Sequence, residues 1–512
     1  MNRTGRIPAL ASAALALVAC ACSGPRRPPG AVVVWIAGHE APRFDPDGPP
    51  DALRWAIERQ LSRGLVDEDT SGRIVPAAAE SITVSRDRLS VRFKLRTGLA
   101  FTDGHPCTSE DFRLALRGGL ARTDHATRER LLAAVTGMPA VRAGRKLPPL
   151  GIETPDAHTL VLRLARPDSL LLRKLSVPGV STPWRRRTSG SWQDACGLGP
   201  YRVATWESTR LVLTRRGPHG RADTLRVRFV PSAARAANVL RSGRADLVWP
   251  IPPALLEQPV APGFELRRAR AAPERELLLV LRGDVPPTTK LPARGALAHA
   301  INRSDLASAL GVFGEPAGAL IPGAPRFEAP AFDAGEVAEW MTRGDLGRSF
   351  HVAMAYDAGG AGASAARALQ GDWSRLNMYV ELRPQREPDY FSETLSGQSQ
   401  LLLLDYQPVV DSGPWRLGEF ALPLRGPAVG AFRSGWRTRE FDPWIEGRPN
   451  AAALQPAVLQ GRIEEEMRIL PLARLPWVWL VPASRGAPGG GIAVFHPHYG
   501  PDFTGSGAAT GP

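Results

Sequence analysis

Lysine is almost absent from this chain. Of 64 basic residues in 512, only four are lysine (Lys94, Lys146, Lys174 and Lys290), so the net charge of +14 is carried by arginine. The arginines are scattered, and the longest run is Arg185-Arg186-Arg187. A nucleic-acid binder gathers such charge into a patch or an arm, so no nucleic-acid partner is expected. The surplus reads as a compositional habit, or as a surface or cleft that prefers anionic lipid or ligand. Cysteine is as scarce, with four residues. Only Cys107 and Cys196 lie inside the expected fold, and one pair in so long a chain is no disulfide framework. We expect two isolated thiols. Long apolar runs are missing apart from one at the extreme N-terminus, which excludes a polytopic membrane protein. What remains, 43% apolar and 22% charged, is an ordinary globular balance. The length calls for two or more lobes.

The common catalytic signatures are also missing. There is no Gly-x-Ser-x-Gly elbow, no Gly-Lys-Ser/Thr phosphate loop and no His-Glu-x-x-His. Gly197-Leu198-Gly199 runs into Pro200 and lacks the third glycine of a dinucleotide fingerprint. His496-Pro497-His498 is the one close histidine pair, and it reads as a solvated loop feature, not as a metal site. No metal and no cofactor are expected. Triads do assemble from distant residues, so an exported enzyme, such as a hydrolase, stays open as the alternative to a binding protein.

The N-terminus has the layout of an export signal. Arg3 and Arg6 form a positive start, and Ile7 to Ala19 is apolar but too short for a spanning helix. It ends in Leu17-Val18-Ala19-Cys20, which resembles a bacterial lipobox. The resemblance implies removal of residues 1–19 and diacylation of Cys20, whose two chains bury enough methylene groups for stable anchoring. Cleavage near Ala21, or acylation of Cys22 instead, fits the pattern less well. Ser23 to Gly30 (SGPRRPPG) then reads as a stiff, solvated tether over 20–30.

Beyond the tether the hydrophobic periods alternate between those of strands and helices. Ala31 to Ile36 is a buried strand, and Leu53, Ile57, Leu61 and Leu65 mark one stripe of a helix. Leu89, Val91, Phe93 and Leu95 alternate as in a half-buried strand. Thr108 with Asp111 forms a capping-box-like helix start, and Ser232 caps an Ala-rich helix. The stretch 351–382 goes strand, helix, strand, which predicts a βαβ unit. An apolar strand at Leu401–Leu404, a helix near Ala457–Ile469 and a strand at Trp477–Val481 follow. The fold class is mixed α/β.

Several short segments then carry a resemblance. Arg43-Phe44-Asp45-Pro46, Gly64-Leu65-Val66, Ile74 to Ser81, Phe101-Thr102-Asp103-Gly104 with Thr108 to Asp111, Gly199-Pro200-Tyr201, Ala296 to Arg303 and Ile321-Pro322-Gly323 occur in order. They resemble the solute-binding proteins of bacterial ABC importers, family 5, the oligopeptide, dipeptide and nickel-binding type. The resemblance implies a two-lobed periplasmic-binding-protein-like fold of the large class II cluster, with an extra subdomain on the first lobe. Its layout assigns 31–50, 185–269 and 456–512 to lobe 1, 51–184 to the extension and 270–455 to lobe 2. It implies hinge closure around a solute, delivery to ABC permease subunits, a lipid-held monomer on the outer face of the cytoplasmic membrane, and no chemistry of its own.

In peptide-binding members an aspartate meets the α-ammonium of an extended peptide. The matching region here runs from Leu404 to Trp415. Asp411 is the first candidate and Asp405, followed by Tyr406, the second. Arg43, Phe44, Tyr406 and Trp415 are further candidates for lining the cleft. A nickel chelate or another solute, or a sensing role, is compatible with the same resemblance.

Overall fold

The computed structural model describes residues 32–42, 51–118, 131–138, 150–186, 194–217, 222–255, 260–269, 275–358, 361–385, 399–410, 412–422, 436–437, 455–483, 494–496 and 498–504. Cys20, Arg43, Phe44 and Asp411 lie outside them.

The first large sheet is built on β1 (Val32–Ala37), whose sequence VVVWIA has no polar residue. That run suits a strand covered on both faces. β1 pairs in parallel with β12 (Thr224–Phe229) and β13 (Leu247–Val248). Outside them lie β10 (Tyr201–Glu207) and β11 (Arg210–Arg215) at one edge, and β23 (Trp477–Pro482) and β14 (Phe264–Ala269) at the other, all antiparallel. Helix α1 (Ala52–Leu61), capped by the Asp51 carboxylate on the Arg54 amide, buries Leu53, Ala56 and Ile57 on one face beside Val33, Trp35 and Leu225. Helix α4 (Ala233–Arg241), capped by Ser232, covers part of the other face through Ala236 and Leu240 beside Ile36 and Val248.

The second large sheet has the order β16 (Glu315–Pro316), β22 (Ile469–Arg474), β15 (Glu276–Leu281), β19 (Leu401–Tyr406), β17 (Phe350–Asp357) and β18 (Met378–Gln385). Every residue of β15 is buried. Leu277, Leu279 and Leu281 face one cluster and Leu278 and Val280 another, as a two-residue period requires. α5 (Leu291–His299), α6 (Arg303–Leu310), α7 (Ala334–Arg343) and α8 (Gly362–Ser374) supply the first cluster. α9 (Gly413–Phe420) and α10 (Pro456–Glu466) supply the second. β17, α8 and β18 form the expected βαβ unit with parallel strands.

A smaller antiparallel sheet, in the order β4 (Ala79–Val84), β5 (Ser90–Leu95), β7 (Thr159–Arg163) and β6 (Ile152–Asp156), carries the extension. Val91, Phe93 and Leu95 point into a third core with α2 (Ser109–Gly118) and α3 (Leu171–Ser176). Asp111 accepts from both the amide (2.8 Å) and the hydroxyl (3.1 Å) of Thr108, so the expected helix start forms. Four two-stranded ladders complete the fold: β2 (Val66–Glu68) with β3 (Ile74–Pro76), β8 (Arg185–Arg186) with β9 (Ala195–Cys196), β20 (Ala421–Leu422) with β21 (Trp436–Arg437), and β24 (Val494–His496) with β25 (Gly500–Asp502).

The structure differs from the sequence expectations in three places. β22 follows α10 directly and belongs to the second sheet, whereas the layout placed 456–512 in lobe 1. Pro471 within ILPLAR masked this strand, because proline usually argues against a sheet interior. α1 packs on the first sheet although 51–184 was assigned to the extension, since an apolar stripe does not name the surface it covers. The histidine pair, expected in solvent, is buried at 1% and 2% exposure. Cys107 and Cys196 are both free thiols.

Candidate functional site at the seam between the sheets

The chain passes between the two large sheets twice, from β14 to β15 and from β22 to β23, and the described ends of the two passages are paired, Ala269 with Trp477 and Glu276 with Arg474. Leu475 donates its amide to the Arg275 carbonyl at 2.7 Å where they cross. The Arg275 guanidinium lies 4.2 Å from the Trp477 ring centre and donates to the Asp405 carboxylate at 2.6 Å. One side chain thus links a strand end of the second sheet to an aromatic of the first. A planar cation can stack and hydrogen-bond at once, which an ammonium does poorly. Behind it Trp477 meets Trp249 edge-on at 5.3 Å, and Trp479 stacks on Phe495 at 3.7 Å. Gly500 closes this wall: its φ is +78°, and a Cβ there would come within 2.6 Å of the Trp249 ring.

On the lobe 2 side β19 ends in Asp405-Tyr406. The Tyr406 hydroxyl donates to one oxygen of Glu419 at 2.5 Å, and the Trp415 indole to the other at 2.9 Å. Trp415 and Glu419 stand one turn apart on α9, so helix geometry delivers both groups to one place. Next to them Arg416 meets Glu276 at 3.3 Å and donates to the Leu320 carbonyl at 3.1 Å; both ions are buried. The segment after Tyr406 is therefore held at both ends by satisfied polar groups. Its Val409 and Val410, with Trp415, join the buried cluster that contains Trp55, Val66 and Tyr499 from the other side. Gln407 donates to the His498 carbonyl at 3.1 Å.

The opposing wall is polar. Glu68 at the end of β2 is 3% exposed, lies 3.2 Å from Arg173 and 3.5 Å from His498. Arg59 pairs with Asp67, lies 3.6 Å from Asp502 and sits 4.7 Å over the Tyr499 ring. Tyr499 stacks on His498 at 4.3 Å and on His496 at 4.8 Å. The His496 Nε2 hydrogen-bonds the Glu68 carbonyl at 2.8 Å, and its Nδ1 accepts the His498 amide at 3.1 Å. These partners select the neutral imidazole with its proton on Nε2. Burial, with repulsion from Arg59, agrees by holding the His496 pKa down at about 4. Burial alone would raise the Glu68 and Asp502 carboxyls. His498, His496 and Arg173 outweigh it for Glu68, and Arg59 and Thr504 for Asp502, so both lie below their ordinary value. A shallow depression opens beside this wall, lined by Glu58, Arg59, Ser62, Arg63, Asp67 and Ser176 among others.

Of the residues singled out in the sequence, Asp405, Tyr406 and Trp415 are brought together at the seam, with the rings of Tyr406 and Trp415 buried and their polar atoms on Glu419. Sequence reasoning missed Arg275, Gln407, Glu419 and the Glu68–His496–His498 group. Charge at the start of an apolar strand, as in Arg275-Glu276, was the available signal for the first. The last is assembled across more than four hundred residues and left no local pattern. Among the described residues no group of three or more His, Cys, Asp or Glu is arranged to hold a metal ion. Nor is any described helix long and apolar enough to cross a membrane.

Comparison with known proteins agrees with this architecture. Residues 73–424 match the model of bacterial extracellular solute-binding proteins, family 5 (middle). The glutathione-binding protein GsiB of Escherichia coli O1:K1 / APEC is 25% identical over 336 residues, 63% of this chain and 61% of that protein. The K12 protein of the same name is 25% identical over 304 residues, 57% and 56% of the two chains. The match thus spans less than two thirds of those curated relatives. Among solved structures, Helicobacter pylori DppA in complex with the peptide STSA superposes with a TM-score of 0.76 at 17% identity, covering 92% of this chain and 98% of that one. Escherichia coli MppA, a murein tripeptide binding protein, gives 0.76 at 17% over 94% and 98%. AgaA in complex with agropinic acid, from Agrobacterium ("A.tumefacien R10"), gives 0.73 at 18% over 93% and 96%. With two large sheets joined by paired crossings and a family match over more than half its length, the chain belongs to the family 5 bacterial extracellular solute-binding proteins.

Proposed function

We propose that this protein captures a short peptide or a similar solute at the seam between its two large sheets. It then presents the solute to the transmembrane subunits of an ABC importer while Cys20, diacylated, holds it on the outer face of the membrane. The observation that carries the reading is the paired crossing at Leu475 and Arg275 beside a loop of the second lobe that packs against the extension's cluster and the C-terminal hairpin. Two side-by-side strands can flex together, so binding between the lobes becomes a change of shape. The names of the relatives support small peptides and related solutes as the class of ligand.

In this reading Asp411 meets the ligand's ammonium. It falls in the loop between Val410 and α9, whereas Asp405 already has the Arg275 guanidinium as its partner. Tyr406 and Trp415 brace that loop through Glu419, and Arg43 and Phe44 are further candidates for lining the cleft. The chain performs no chemistry on its ligand. Native mass spectrometry of freshly purified protein tests the reading: the expected result is a bound small molecule whose addition raises the melting temperature and which is recovered unaltered. Turnover of that molecule would contradict it. Cys20→Ala should release the protein from membranes or leave it unprocessed, and continued acylation would refute the anchor.

A further inference from the structure

The arginines that look scattered in the sequence are gathered by strand pairing. On β12, Leu225, Val227 and Phe229 point into the core, which turns Arg226 and Arg228 to solvent. The register sets Arg210 of β11 opposite Arg228, and Arg202 of β10 opposite Thr214, which is itself opposite Thr224. All four arginines are exposed and share one face of the sheet, the face on which α4 packs against β1 and β13 through Ala236 and Leu240. From α4, Arg235 and Arg241 extend the same basic surface, both exposed. The one acid on that face among the described strand residues is Glu207, paired with Arg210.

Elsewhere some surface arginines are matched by a carboxylate, and others, such as Arg86, Arg92, Arg348 and Arg367, stand apart along the chain. Arg343 meets Glu339, Arg383 meets Glu381, Arg462 meets Glu465 and Arg163 meets Glu153. Arg226 and Arg228 have no carboxylate partner among the described residues. Their position relative to the N-terminus gives the excess a direction. β1 begins at Val32, two residues after the tether, and Val32 is paired with Thr224, so this strand start shares a cross-strand row with Arg202. Counted from Cys20, even a fully extended tether keeps the Val32 end of that row within about 40 Å of an anchoring bilayer.

We propose that this face of the first sheet, Arg202, Arg210, Arg226 and Arg228 with Arg235 and Arg241 of α4, is a docking surface for an anionic phospholipid bilayer. A broad, polar, basic face with few apolar side chains suits a field of lipid phosphates more than a fitted protein interface. Each arginine near such a surface adds attraction that fades within a Debye length, about 8–10 Å at ordinary salt. The acyl anchor and this face would then set an orientation: β10 to β12 toward the membrane and the seam held clear of it. The proposal goes beyond solute capture and does not depend on which solute is carried.

The test uses the chain without residues 1–19 and with Cys20→Ala, so that no acyl group contributes and failure of the anchor reading leaves the result unaffected. Sedimentation with phosphatidylglycerol vesicles should show salt-sensitive binding that phosphatidylcholine vesicles do not give. Arg226→Glu with Arg228→Glu should weaken it at least roughly tenfold while the melting temperature is kept; Arg202→Glu with Arg210→Glu serves as a second pair on the same face. Arg348→Glu with Arg367→Glu, the same charge change on exposed residues of the other lobe, should leave binding near the parent value. Equal binding to both lipids, no binding to either, or equal loss in the control pair would overturn the proposal. So would variants that bind vesicles normally yet fail to stimulate the permease, which would assign the face to a protein partner.

Discussion

On the first lobe's side of the seam, Arg59, Asp67, Glu68, Asp502 and two histidines form one connected, buried group around Tyr499. On the second lobe's side the charges among the described residues sit in separate small units: Glu276 with Arg416, Asp405 with Arg275, and Glu419 beneath the Tyr406 hydroxyl and the Trp415 indole. The first arrangement draws on β2, α1, α3 and the C-terminal hairpin, so it preorganises a wall from four parts of the chain. The second hangs a short loop from a rigid strand and a braced helix. In the proposed closure the first arrangement serves as a fixed wall, and the second presents to it a short loop that touches it through Gln407 and a few apolar side chains.

Substitutions on the two sides should have graded effects. The largest effect should come from Arg416→Ala, which leaves Glu276 buried at 0% exposure without its guanidinium. Removing one member of a buried pair costs about 3–5 kcal/mol, readable as a lower midpoint in denaturant unfolding. A change within error would mean that the brace is dispensable.

Asp411→Ala should weaken binding of the captured peptide by about 2–5 kcal/mol, as loss of a buried charge-assisted pair does. Asp405→Ala should cost less, because its carboxylate is engaged with Arg275. Calorimetry giving the reverse order would exchange their roles.

The histidine in the fixed wall supplies a pH test. His496 stays neutral in the fold down to about pH 4, while in the unfolded chain it takes a proton near its ordinary 6.5. Acid therefore favours unfolding across that window, by up to about 3 kcal/mol. Glu68 and Asp502 add to this at lower pH. Their stabilisation is complete above the ordinary carboxylate range and is lost as pH falls through their depressed folded values. His496→Gln should flatten the decline between neutral pH and about pH 5; an unchanged slope would place the acid sensitivity elsewhere. The smallest effect belongs to Gln407→Ala. One neutral hydrogen bond across the seam is worth about 1 kcal/mol, so ligand affinity should fall by about tenfold or less with little change in melting temperature.

What the sequence made legible was local. Phe101 to Gly104 is recognisable because a turn is written in adjacent residues: Asp103 accepts from the His105 amide at 3.1 Å, and Gly104 takes a φ of +90°. The same holds for the Thr108–Asp111 helix start and for the strand, helix, strand order of 351–382. The Leu404 to Trp415 segment offers Tyr406 and Trp415 as aromatic candidates, but it does not name Glu419 as the acceptor of both. The wall opposite was not legible. Pro497 between two histidines suggests an exposed loop, and nothing near it in the chain records that Glu68 and Arg59 will surround it. β22 was hidden in the same way, since Pro471 argues against a strand that tertiary pairing nevertheless imposes.

The account rests on two lobes closing over a solute, and small-angle scattering tests it most directly. Profiles of the purified protein with and without the small molecule recovered by native mass spectrometry should differ, with a smaller radius of gyration when it is bound. Superimposable profiles at saturating ligand would contradict the account.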